Sequence, residues 1–83
     1  MAIDYARLRS VTARELIAAL ERDGFRLDRQ VGSHRHYIHP DRRRVTVSFH
    51  GVGETFAVKT LKAMIEMQAH WSDGDLLRLK LIR

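Results

Sequence analysis

Three short segments in the middle of the chain alternate between apolar and polar residues and are separated by only a few turn residues. They cover residues 25–31, 34–39 and 44–49. Alternation with a period of two predicts β-strands, and Gly32-Ser33 and Pro40–Arg43 between them are typical turn residues. Because connections this short join antiparallel neighbours, the sequence predicts a three-stranded antiparallel meander.

A helix is predicted on each side of these strands. Thr12 and Glu15 have the spacing of a capping box, and Gly24 is placed to end a helix of about residues 13–23. A second helix is predicted over about residues 57–69, with a buried stripe of Val58, Leu61, Met64, Ile65 and Gln68 or Ala69. Two amphipathic helices cover one face of a three-stranded sheet and leave the other open. The predicted fold class is therefore α+β in the order α-β-β-β-α, the outline of a double-stranded-RNA-binding domain.

The length of 83 residues is enough for one domain with one modest core. We expect a single domain over residues 1–83, with its core at about residues 12–69. Residues 1–11 are expected to form a frayed tail or a short turn. Residues 70–83 form a C-terminal extension that is a helix, a strand or a partner-binding tail, and Trp71 is expected either at an edge of the core or in contact with a partner.

Composition excludes several kinds of site. The chain has no cysteine, so it has no disulfide and no cysteine-ligated metal. Neither a secretory signal nor an apolar stretch of the ~18 residues needed to span a membrane is present. We therefore expect a cytoplasmic protein. We also expect the protein to use no cofactor.

Charge suggests the kind of partner. Fifteen Lys and Arg against ten Asp and Glu give a net charge of +5. The excess is concentrated in residues 22–44, which hold seven arginines and three aspartates. A local basic surface is typical of nucleic-acid binders, although a merely solvated charged face has the same composition.

Histidines are concentrated beside the first predicted turn. His34 and His36 share one face of the second predicted strand, whereas His39 lies on the other, and no carboxylate or cysteine stands at matching spacing. We therefore expect no metal site. If Tyr37 packs under the helices, His34 and His36 project from the open face. Histidine transfers protons near neutral pH, and RNA cleavage requires the 2′-OH to lose a proton and the 5′-oxygen to gain one.

A series of short motifs runs through this part of the chain: Arg14–Ile17, Asp23–Phe25, Arg29–His34, Tyr37, His39-Pro40, Val45–Val47 and Thr60–Lys62. In these motifs and their order, residues from about Thr12 to Gln68 resemble the HicA family of mRNA-interferase toxins. The resemblance implies a double-stranded-RNA-binding-like fold and metal-independent mRNA cleavage. It also implies a type II toxin–antitoxin system in which a HicB-type antitoxin covers the active site.

The resemblance places the family's catalytic histidine at His34, with Gly32 and Ser33 as the turn that presents it. Around this turn we expect Arg29 and Arg35 to hold the phosphate. The remaining predicted RNA contacts are Gly32, Ser33, His36, Lys59 and Lys62.

Alternatives remain for both the mechanism and the function. The second proton carrier is His36, His50 or water. The competing functions are a non-catalytic RNA-binding module and a protein that docks onto a partner through its extended C-terminus.

Overall fold

The computed structural model describes residues 3–82 and contains the predicted helices and strands in the predicted order. Expectations for Met1, Ala2 and Arg83 lie outside the described residues. A 3-10 turn at Tyr5–Leu8 precedes the main elements, which are α1 (Ala13–Asp23), β1 (Arg26–Val31), β2 (His34–Ile38), β3 (Arg44–Ser48), α2 (Val58–Lys62, continued as a π-helix over Ala63–Gln68) and α3 (Asp73–Arg78).

Both ends of α1 form as predicted. The Thr12 hydroxyl accepts from the Glu15 amide at 3.2 Å, and the Glu15 carboxylate accepts from the Thr12 amide at 3.1 Å. This capping box satisfies two amides that would otherwise lack a partner. Gly24 ends the helix with a φ of 105°, a left-handed conformation that glycine adopts at low cost.

The three strands form an antiparallel sheet in the order β1-β2-β3, which confirms the predicted meander and the α+β fold class. The register of β1 against β2 shifts between Leu27 and Arg29, so β1 contains a bulge. All six residues of β1 are exposed. At the other edge of the sheet, the backbone N–H of Thr46 in β3 donates to the Gln68 side chain at 2.9 Å.

One face of the sheet is covered by the core. Tyr37, Val45 and Val47 are buried there, so Tyr37 does pack on the covered face. A single cluster joins them to buried residues of α1, α2 and α3. Because alternate residues of a strand point to opposite faces, the face of β2 that carries His34 is the uncovered one.

The second helix differs from its prediction at its first residue. Leu61, Met64, Ile65 and Ala69 are buried as expected, but Val58 is 47% exposed. Val58 opens the helix, and there it borders a surface cavity rather than the core. The π-helical turn that follows extends as far as Gln68, whose side chain caps the edge of β3.

Of the alternatives for the C-terminal extension, the structure shows a helix. A second capping box, between Ser72 and Asp75, starts α3. Leu76 of this helix and Leu79 directly after it are fully buried, and Trp71 before it is 3% exposed and belongs to the core cluster. The hydrophobic core therefore extends beyond residues 12–69.

Asp23, the last residue of α1, fixes this extension. Its carboxylate accepts from the Trp71 indole N–H at 2.9 Å and from Arg78 at 2.8 Å, and it lies 3.0 Å from Arg43. Burial alone would raise the pKa of Asp23, but the bonds from Trp71 and Arg78 and the charge of Arg43 hold that pKa below its ordinary value.

Among residues 3–82, no helix is long and apolar enough to cross a membrane.

Candidate functional site

The uncovered face of the sheet, called the open face below, carries three rows of three side chains. Residues paired directly across antiparallel strands project from the same face, so the register assigns each row. From the β1–β2 turn onward, the rows are Val31, His34 and Ser48; then Arg29, His36 and Thr46; then Arg26, Ile38 and Arg44. All nine side chains are exposed or half-buried.

His34 stands at the first position of β2, directly after the turn of Gly32 and Ser33. Gly32 has a φ of 60°, in the left-handed region, and no atom lies within 4 Å of the place a Cβ would take. The turn is therefore tight and open to a close approach by another molecule. The His34 side chain is exposed, and no residue between 3 and 82 offers it a hydrogen bond or an ion pair. Its imidazole is free to act on a bound molecule.

His36 lies on the same face, two residues further along β2. With a rise of about 3.3 Å per strand residue, its Cα lies about 6.6 Å from that of His34. The Nδ1 atom of His36 is 3.0 Å from the hydroxyl oxygen of Thr46 on the neighbouring strand. This contact fixes the orientation of the ring and leaves its Nε2 atom available.

Arginines supply the charge of the open face. Arg29 lies in the row of His36, and Arg26 and Arg44 lie on either side of Ile38. All three arginines are exposed, and none of them pairs with a carboxylate of the described chain. None of the nine positions is an aspartate or a glutamate, so the face attracts anions. Sequence reasoning missed Arg26 and Arg44, because only the register reveals that they share a face with His34.

Comparison with protein families matches residues 13–70 to a model described as the HicA toxin of bacterial toxin–antitoxin systems. The match covers more than half of the chain and includes the whole open face. The chain belongs to the HicA toxin family. It is thus a toxin of a toxin–antitoxin system, and membership implies an antitoxin partner. A comparison with curated proteins found no match.

In this HicA-family toxin, Arg35 does not lie on the same face of the sheet as Arg29, the other predicted phosphate ligand. Its guanidinium lies over the Phe49 ring, 4.9 Å from the centroid, on the core side of the sheet, whereas Arg29 is on the open face. Within the described chain, the buried Arg35 Nε atom has no hydrogen-bond partner. The arginine borders a cavity of about 260 Å³ that is also lined by Gln30, Gly32, Ser33, Phe49 and His50. The structure thus places Arg35 and His50 together and apart from the row of His34.

The two lysines predicted to contact RNA are exposed on α2. Lys62 borders a second cavity, of about 370 Å³, together with Tyr5, Glu66 and Trp71. In this cavity the Tyr5 hydroxyl donates to Glu66, and burial together with this carboxylate raises the pKa of Tyr5. The structure does not bring Lys62 together with His34, and RNA contacts by Lys59 and Lys62 remain predictions.

His39 has a structural role in the described chain. Its Nε2 atom lies 2.7 Å from the carbonyl oxygen of Asp23, and its Nδ1 atom accepts from the Asp41 amide at 3.1 Å. The tautomer with hydrogen on Nε2 satisfies both contacts. His39 therefore fixes the end of α1 against the β2–β3 turn. Within residues 3–82, no three His, Asp or Glu side chains converge as metal ligands.

Proposed function

We propose that this HicA-family toxin is an endoribonuclease that cleaves mRNA, with His34 as its catalytic residue. The observation that carries the proposal is the position of His34. The imidazole is exposed and without a partner in the described chain, and it stands on a face that also carries Arg26, Arg29 and Arg44 and has no carboxylate among its nine positions. A free proton acceptor beside phosphate-binding cations is the arrangement that cleavage by the 2′-OH of RNA requires.

In the proposed reaction, His34 takes the proton of a ribose 2′-OH. The 2′-oxygen then attacks the adjacent phosphorus and displaces the 5′-oxygen of the next nucleotide. Arg29, one row away, neutralises the charge that builds on the phosphoryl oxygens. The side chains supply the proton transfer and the charge neutralisation, so the proposal requires no metal ion or cofactor.

The rest of the open face provides a path for the RNA strand. Arg26 and Arg44 lie two rows from His34, about 13 Å along β2 at the usual rise per residue. Their positions favour single-stranded or loop RNA lying along β2, with its phosphates over the arginines. The turn of Gly32 and Ser33 allows the strand to approach His34, while Arg35, Lys59 and Lys62 are proposed as contacts outside this path.

The antitoxin of this system is proposed to be a HicB-type protein that covers the open face. Such a partner would exclude mRNA from His34 and the arginines at once. Val31, beside His34, is 60% exposed, and Ile38 between the two far arginines is 37% exposed. A protein partner can bury these apolar side chains, whereas RNA phosphates do not use them.

The test compares the purified protein with its His34→Ala variant on total mRNA. We expect fragmentation by the wild type and a loss of about 10²–10⁴-fold in the variant, the usual contribution of a positioned proton carrier. His70→Asn is the matched control, because His70 is exposed, lies off the open face and has a φ of 57° that asparagine tolerates. Thermal unfolding of each variant checks that folding is intact.

Three results would reject the proposal. Cleavage by His34→Ala at the wild-type rate would remove His34 from catalysis. RNA binding without cleavage by the folded wild type would instead indicate a non-catalytic RNA-binding module. A partner-docking protein would neither bind nor cleave RNA, and its expression without the antitoxin would leave growth unchanged.

A further inference from the structure

We propose that His36 is a second catalytic residue, the acid that protonates the leaving 5′-oxygen, and that Thr46 positions it. This inference rests on the proposed function, because it assigns the second proton transfer of the same reaction.

The separation of the two histidines suits such a pair. In an in-line displacement, the attacking 2′-oxygen and the leaving 5′-oxygen lie on opposite sides of the phosphorus. Base and acid must therefore stand on either side of one phosphate. His34 and His36 project from the same face with Cα atoms about 6.6 Å apart, which leaves room for a phosphate between the two rings.

Thr46 gives His36 a defined orientation that His34 lacks. The ring that acts as an acid carries a proton on both nitrogens. Its Nδ1–H then donates to the Thr46 hydroxyl oxygen across the 3.0 Å contact. The Nε2–H is left for the 5′-oxygen. The backbone N–H of Thr46 donates a hydrogen bond to the Gln68 side chain, which helps to hold Thr46 in place in β3. The position of His36 is therefore well defined.

The other histidines of this region are placed elsewhere. His50 lies outside the nine positions of the open face and borders the cavity that contains Arg35. His39 is engaged by Asp23 and Asp41 through both ring nitrogens. His36 is therefore the histidine that the fold places beside His34.

In the proposed step, the O2′–H bond breaks and its proton passes to His34, the O2′–P bond forms, and the P–O5′ bond breaks. The released 5′-oxygen takes the Nε2 proton of His36. The products are a 2′,3′-cyclic phosphate and a 5′-hydroxyl, and both histidines regain their starting forms by proton exchange with water.

Arg29 shares the row of His36, and His34 and Arg44 lie in the rows on either side of it.

The decisive test uses two RNA oligonucleotides that span a cleavage site mapped with the wild-type protein. One is ordinary RNA, and the other carries sulfur in place of the 5′-bridging oxygen at that site. A thiolate leaves without being protonated. We expect the cleavage rate of His36→Ala on ordinary RNA to fall by about 10²-fold or more. On the sulfur substrate its rate should stay within about tenfold of wild type, because the acid contributes only to cleavage of ordinary RNA.

The other variants separate the roles. His34→Ala should be impaired on both substrates, since both need the base. Thr46→Val should lose activity on ordinary RNA alone, and Thr46→Ser should restore it. His50→Ala should match the wild type on both. Equal impairment of His36→Ala on the two substrates, or its full activity on ordinary RNA, would overturn the inference while His34→Ala still tests the proposed function. A wild type inactive on RNA would overturn both.

Discussion

Replacing Arg26 and Arg44 together tests whether the RNA strand runs along the open face. These arginines flank Ile38 in the row farthest from His34, where they are exposed and have no carboxylate partner in the described chain. If each contacts one phosphate, Arg26→Gln/Arg44→Gln removes two contacts. The variant should bind RNA more weakly and with less dependence on salt, and its turnover at saturating RNA should not change.

The magnitude follows from counterion release. For single strands, each neutralised phosphate contributes about 0.7 to the slope of log affinity against log salt concentration, so two contacts contribute about 1.4. Raising the salt fourfold, from about 50 to about 200 mM, should then reduce the affinity of the parent protein about sevenfold more than that of the variant.

Fluorescence anisotropy with a labelled single-stranded RNA measures both slopes, in a His34→Ala background that prevents cleavage. The matched control is Arg9→Gln/Arg14→Gln, which removes the same charge from exposed positions outside the open face. An unchanged slope in the Arg26 and Arg44 variant would show that these arginines contact no phosphate, and an equal change in the control would show that net charge rather than the open face determines binding.

Three further predictions concern the support of the site. Asp23→Asn should cost about 2 kcal/mol, because hydrogen bonds to a charged group contribute about 1.5–3 kcal/mol, whereas exposed Asp28→Asn should change little. Since the folded pKa of Asp23 is depressed, its contribution is present above the unfolded value of about 3.9 and is lost as the pH falls through the folded pKa. Urea unfolding at pH 6 and pH 3 should therefore show the gap between wild type and Asp23→Asn closing in acid, and a constant gap would refute this. Gly24→Ala should cost about 2 kcal/mol, because the φ of 105° disfavours a side chain and the new Cβ would lie 2.9 Å from His39 Nε2; equal stability by calorimetry would contradict it. Thr12→Ala should cost about 1 kcal/mol through loss of the cap and lower the melting temperature by about 4–8 °C, and an unchanged melting temperature would show that the cap contributes nothing.

The sequence predicted the order of the elements because their local signals agree with their environment. Each of these signals depends only on residues close together in the sequence. Examples are the capping box at Thr12, the left-handed Gly24 and the alternation of Tyr37 with its neighbours. The prediction of His34 depended on a family resemblance, and the match to the HicA family confirms the resemblance rather than the role of the residue.

The face on which a residue lies was harder to predict. Strict alternation places residues separated by an odd number on opposite faces, so Arg26 would lie opposite Arg29. The bulge between Leu27 and Arg29 inserts one residue and brings both arginines to the same face. Arg35, next to His34 in the sequence, was expected to act with Arg29, but alternation without a bulge directs it to the core side. The shared face of Arg26, Arg29 and Arg44, which are the proposed phosphate contacts, therefore depends on the bulge and on pairing between strands, and neither can be read from the sequence.

The two edges of the sheet differ in a way that bears on assembly. The outer edge of β3 is capped at Thr46 by the side chain of Gln68, whereas β1 is exposed along its whole length. Within residues 3–82, the β1 edge is therefore the more open of the two to a strand from another molecule, and the bulge and charged side chains of β1 disfavour such pairing there. The two edges thus oppose self-association by different means, a side-chain bond on β3 and an irregular, charged strand on β1.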